Sequence, residues 1–192
     1  LPTLESVYRM TDPDWTVQAL KDDLALNMSL YAQGNVSDLD MKAVRILAAI
    51  LGFNLPGLDT AQPPRNVIDQ LLCQYSFTAT KAILTKAKAF ADRNGKKLLV
   101  VLFDPSRVMR PLVEGKPRYD QVIVDFLKEN QFRSFDMNLV HVEDFRNFRI
   151  PFDQYAKRYF IGHYSPAGNH FFAYSIKDTV IDWLDPKPIT YQ

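Results

Sequence analysis

Lys97-Leu98-Leu99-Val100-Val101-Leu102-Phe103, closed by Asp104-Pro105, is where the period of this sequence changes. Upstream, apolar residues recur at spacings of three and four. Here they run without interruption, between the Asn94-Gly95 turn and a proline. A short apolar run between turn signals reads as a strand buried on both faces, as in parallel sheets. The amphipathic stretch Ala79 to Arg93, the glycine turn and this strand together read as an αβ unit. Downstream, Tyr119 to Glu129 reads as a helix with Val122, Ile123 and Phe126 inward, and Met137 to Val142 as a second strand ending at Glu143-Asp144. His141 then alternates with Leu139 as one polar position on a buried sheet. Ligands gather at the carboxyl ends of strands in open α/β sheets. That rule puts Asp104, Ser106, Glu143 and Asp144 at the site end.

Toward the N-terminus the pattern is helical. Asp14 is read as the cap of a helix from Trp15 to Tyr31, with Val17, Leu20, Leu24 and Met28 on one face. Ser37 or Asp38 caps a second, Leu39 to Leu51, with Val44, Leu47 and Ile50 inward, and Gly52 ends it. Asn54 to Pro64 is a loop rich in Pro, Gly and Asp. Asn66 opens another helical region, with a break expected at Ser76 to Thr78. The reading is a helical segment over residues 1–60 followed by an α/β portion over 61–192.

The composition excludes several functions. The chain has 192 residues, 47% hydrophobic and 23% charged, which is enough to bury a core. A net charge of +1 makes no electrostatic case for nucleic acid. No apolar run is long enough to span a bilayer. The single cysteine, Cys73, falls in an apolar helical stretch and reads as an inert buried thiol. The three histidines form no His-x-x-His or HExxH pattern, so no metal is expected, and nothing calls for a cofactor. None of this fixes the compartment.

Chemistry points to one segment, His163-Tyr164-Ser165-Pro166-Ala167-Gly168-Asn169 followed by Phe171-Phe172-Ala173. Ser165 is a good N-cap and Pro166 suits the first helical position. Phe172, Ala173, Ile176, Val180, Trp183 and Leu184 then mark one helical face, and Asp185-Pro186 and Pro188 stop the helix. His163 is thereby presented from a loop pinned by a docked helix. The aromatic run Phe145, Phe148, Phe152, Tyr155, Tyr159 and Phe160 precedes it, as core or as an apolar wall beside a site. Arg146, Arg149, Lys157 and Arg158 read as a solvated face.

This histidine, its Ser-Pro-x-Gly turn and the closing helix resemble the last motif of the SGNH/GDSL hydrolases. The resemblance implies a three-layer, flavodoxin-like α/β fold with a mostly parallel sheet. It also implies acyl-ester hydrolysis of the esterase or deacetylase kind, on a small-molecule or carbohydrate ester. His163 would be the general base of a serine triad. The chain departs from the family at three places. It has no Gly-Asp-Ser nucleophile motif. It has no Gly-x-Asn-Asp element, since Gly34-Asn35-Val36-Ser37-Asp38 reads as a helix-to-helix turn. Phe160 stands where the family has the triad aspartate, and Asp153 is the substitute considered. Ser106 follows a strand end, where a nucleophile can stand. Asp-Pro-Ser-Arg lacks the Gly-x-Ser-x-Gly elbow, however, so Ser106 reads as a turn or cap, with a substrate contact as a further role. Asn169 is a further candidate for substrate contact. Two strands are few for such a sheet. Either the first half holds strands this pattern does not show, or further strands, with the nucleophile, come from outside the chain. Leu1 in place of an initiator favours the second. They would come from a missing N-terminal segment or another copy. The competing reading is a catalytically degenerate module that binds carbohydrate or a protein partner.

Overall fold

The computed structural model describes residues 5, 9, 11–54 and 56–185, so Pro186 and Pro188, and the side chain of Val17, lie outside the described residues. Two compact units divide the chain between Ala79 and Thr80.

The first unit is helical. Its helices α1 (Pro13–Leu20), α2 (Leu24–Gln33) and α3 (Met41–Ile50) each open on an aspartate, at Asp12, Asp23 and Asp40. Each carboxylate accepts one or two of the N–H groups that a helix start leaves unpaired. Asp23 therefore divides what the apolar spacing reads as one helix from Trp15 to Tyr31. The long helix α4 (Arg65–Arg93) follows and continues past the unit boundary. It runs straight through the break expected at Ser76 to Thr78. The hydroxyls of Ser76 and Thr78 donate to the carbonyls of Leu72 and Gln74 at 2.8 and 2.9 Å, which satisfies them inside the helix. The core comprises Met28, Tyr31, Val44, Ala48, Leu58, Val67, Ile68 and Leu71. The Tyr31 hydroxyl donates to the Pro63 carbonyl at 2.8 Å. Val44 is buried as expected, but Ala48 joins it while Ile50 is 75% exposed.

The second unit corrects the fold class. Among the described residues only two strands form, β1 (Val100–Leu102) and β2 (Ser134–Asp136). They pair in parallel with Val101 opposite Phe135. The rest is mostly helix, so the architecture is not a three-layer α/β sheet. After β1 a π-helical turn, Pro105–Met109, runs into the short α5 (Arg110–Val113). Then come α6 (Gln121–Glu129), α7 (Met137–Phe145), α8 (Phe152–Tyr159) and α9 (Pro166–Leu184).

The physical reason for the correction lies in α7. Met137 to Val142, read as a strand, is helical. Asp136 accepts the Asn138 N–H at 3.0 Å as an N-cap, and Met137, Asn138 and His141 are the buried positions. A short apolar run does not by itself separate strand from helix. The cap that decides it falls one residue before the run.

The two strands end in a polar clamp. The Arg118 guanidinium grips Asp120 in a bidentate pair at 2.6 and 2.9 Å, and also pairs with Asp136. The second Asp136 oxygen accepts the Asn138 side-chain amide at 3.0 Å, and Asn138 accepts the Asp104 N–H at 2.8 Å. The two carboxylates raise the Arg118 pKa further above its ordinary value. The carboxyl ends of β1 and β2 are thus held in register beside the stretch that carries Ser106.

Candidate active site

The loop between α8 and α9 is built to present His163. Its ends close as an antiparallel bridge between Phe160 and Tyr164. The Ile161 N–H donates to the His163 carbonyl at 2.8 Å, and the Ser165 N–H to the Tyr159 carbonyl at 2.7 Å. Gly162 sits between with φ of 91°, in the left-handed region that glycine enters without steric cost. Ser165 then caps α9. Its hydroxyl oxygen accepts the Gly168 N–H at 3.1 Å and its O–H donates to the Arg158 carbonyl at 3.0 Å. Pro166 holds the first helical position. Phe172, Ile176, Val180 and Trp183 are half-buried, while Ala173 and Leu184 lie exposed. Four of the six expected face positions therefore dock.

His163 itself is exposed, and its Nδ1 lies 2.8 Å from the main-chain carbonyl of Tyr164. A carbonyl oxygen only accepts, so Nδ1 carries the proton in this contact. The neutral ring therefore keeps its lone pair on Nε2. That is the tautomer a histidine needs to take a proton from a hydroxyl.

A cleft of about 290 Å³ lies against this loop, lined by Phe103, Pro105, Ser106, Arg110, Phe152, Ala156, Phe160, Gly162 and His163. Two of the four sequence candidates, His163 and Ser106, line this cleft, with no hydrogen bond between them. Asp153 sits at the same place through Arg110. It opens α8, is exposed, and forms an ion pair with the Arg110 guanidinium, which holds its carboxyl below the usual range. Arg110 also stacks over the Phe152 ring at 4.6 Å. The Nδ1 partner of His163 is the Tyr164 carbonyl rather than Asp153. Asn169 does not line this cleft; it is exposed in the first turns of α9, where its N–H donates to the Ser165 carbonyl.

The start of the π turn limits what Ser106 has around it. Asp104 accepts the N–H groups of Ser106 and Arg107 at 3.0 and 2.7 Å. Those two donors are therefore already committed and do not point to a developing oxyanion.

Behind the loop lies a network that the strand reading of residues 137–142 hid. His141 is fully buried. Around its ring stand Phe103, Tyr155, Tyr159, Phe160, Tyr164 and Phe171, with centroids 4.9 to 5.9 Å away. Its Nδ1 lies 2.8 Å from the Tyr155 hydroxyl and its Nε2 lies 3.0 Å from the Tyr164 hydroxyl. Tyr155 and Tyr159 both reach the Asp144 carboxylate, at 2.9 and 3.2 Å.

Proton counting orders the network. A carboxylate only accepts, so Tyr155 and Tyr159 donate to Asp144. Tyr155 has then spent its proton, so Nδ1–H of His141 donates to the Tyr155 oxygen. Nε2 is left as an acceptor, and Tyr164 donates to it. Every polar group of this network is satisfied with a neutral imidazole. Burial depresses the His141 pKa to about 4 from 6.5, against the opposing pull of Asp144. Burial likewise raises the Tyr155 and Tyr164 hydroxyls above their ordinary values, and Asp144 adds to the rise at Tyr155.

The remaining candidates are placed as follows. Glu143 lies on α7, paired on the surface with Arg146. Phe152 and Phe160 wall the cleft, Tyr155 is core, and Arg158 lies over Phe148 at 5.0 Å. Among the described residues no three His, Cys, Asp or Glu side chains group as a metal site, and no helix is long and apolar enough to cross a membrane. Compared with known proteins, the chain matches no family model, no curated protein and no solved structure.

Proposed function

We propose that this cleft hydrolyses an acyl ester, with His163 as general base and Ser106 as the hydroxyl it activates. The carrying observation is the His163 tautomer: Nδ1–H is held by the Tyr164 carbonyl, which leaves Nε2 free at a cleft that also holds Ser106. The SGNH-like motif around His163 supports the same reading. The reaction is attack of the serine oxygen on the ester carbonyl while Nε2 takes its proton. His163 then returns that proton to the leaving alkoxide. A water that gives its proton to Nε2 next attacks the acyl-Ser106 ester, and the acid leaves as the proton returns to the Ser106 oxygen. The walls Phe103, Phe152 and Phe160 are apolar, and about 290 Å³ suits a short acyl group or one sugar ring better than a long chain. The substrate class is therefore a short-chain ester of a small molecule or a carbohydrate.

An aryl acetate assay tests this. Wild-type protein should turn over, and His163→Ala should lose on the order of 10²- to 10⁴-fold, the usual worth of a general base. Equal turnover in both proteins overturns the reading. A second reading is a module that binds a carbohydrate ester without cleaving it. It is favoured by the committed N–H groups of Ser106 and Arg107, which leave no oxyanion donors at the head of that turn. Calorimetry showing an acetylated oligosaccharide bound, in a protein with no turnover, selects it.

A further inference from the structure

We propose that Tyr164 is the positioning residue of the base: its hydroxyl is locked inside by His141, and its main-chain carbonyl outside sets the tautomer of His163. The inference rests on the reading of His163 as a base and adds what holds it.

Tyr164 faces two ways. Inward, its hydroxyl donates to Nε2 of His141, which the Tyr155 and Asp144 bonds fix as an acceptor. Outward, its carbonyl accepts Nδ1–H of His163 at 2.8 Å. The ring between is held on several sides. It stacks on Phe103 at 4.7 Å and 19°, and packs on Phe160 at 4.8 Å and Phe172 at 5.8 Å. The first turn of α9 closes the remaining side. A Cβ at Gly168 would run into the Tyr164 ring and the Tyr159 carbonyl oxygen, so only glycine lets the helix sit this close. The ring and the carbonyl share the Tyr164 Cα. A ring anchored by the His141 bond therefore steadies the backbone from which the carbonyl points, together with the Ser165 N–H bond to the Tyr159 carbonyl. The groups facing His141 are Asp144, Tyr155, Tyr159 and Tyr164, and none is a cation. The one charged group among them is the Asp144 carboxylate, which acts through Tyr155 to leave Nε2 as the acceptor.

The test is the ring-nitrogen NMR of His163 in the intact chain, at a pH of about 8 where an ordinary imidazole is neutral. The unmodified protein should show the proton on Nδ1. Tyr164→Phe keeps the ring and removes the hydroxyl, and it should shift His163 toward the mixture of a free imidazole. His141→Leu removes the acceptor and should do the same. His141→Gln offers an amide oxygen where Nε2 stood and should restore the Nδ1–H form, which a purely structural role would not require. In the aryl acetate assay, Tyr164→Phe should lower kcat by roughly tenfold with KM little changed, as for a misaligned base. A His163 proton on Nε2 in the unmodified protein overturns the inference without any variant. An Nδ1–H form that persists in folded Tyr164→Phe and His141→Leu also overturns it. If the tautomer shifts as stated but no protein hydrolyses ester, the hydrolase reading falls while the hold of Tyr164 on His163 stands.

Discussion

His141 is buried in a ring of aromatic side chains, and the proton it refuses has a thermodynamic consequence. Its folded pKa is about 4 against 6.5 for the free side chain. Between those two values the unfolded chain binds a proton that the native state does not. Stability therefore rises with pH across that window, is fully present above about 6.5, and is lost as pH falls toward 4. The shift corresponds to on the order of 3 kcal/mol. Chemical denaturation at a series of pH values should show this slope in the wild type, and His141→Gln should lack it. Equal slopes in the two proteins would mean that His141 already accepts a proton in the folded state. At this scale the sequence was readable where a residue acts through its own neighbours. Ser165 caps and Pro166 starts a helix, as their types demand. It was not readable where function depends on tertiary pairing. Asp153 carries the right charge near His163 in sequence, yet Arg110, 43 positions upstream, takes it. Tyr164 supplies a main-chain carbonyl to His163, and no residue type announces that.

The elements around the site are tied by Arg118. Its guanidinium is 7% exposed and holds two carboxylates, one at the start of α6 and one at the end of β2. Removing one partner of a buried ion pair leaves charge without compensation and costs roughly 3–5 kcal/mol. Arg118→Ala should lose stability in that range in a denaturant melt. A loss below about 1 kcal/mol would mean that solvent reaches Asp120 and Asp136 and satisfies them. The same cluster explains which elements could be read in advance. The strand Val100–Leu102 was visible because an uninterrupted apolar run met a turn at each end. The helix Met137–Phe145 was not, because its short run, broken by Asn138 and His141, carries no clear period and the Asp136 cap that decides it lies outside the run. The three aspartates that open α1, α2 and α3 show how regularly this chain uses that signal.

For the whole molecule, apolar patterning found Met28 and Val44 of the first unit's core but overstated the sheet. Two strands of three residues form the sheet among the described residues, and helices bury the remainder. The second unit carries every group assigned to chemistry: the strand ends, the Arg118 clamp, the His141 network and the His163 loop. The first carries a separate helical core around Met28, Val44, Ile68 and Leu71. The central claim is that His163 and Ser106 act together as base and nucleophile. A fluorophosphonate probe, followed by mapping of the modified peptide, tests it most directly. The account predicts one adduct, on Ser106, formed by the wild type and lost in His163→Ala. No adduct, an adduct on another residue, or labelling that survives His163→Ala would contradict it.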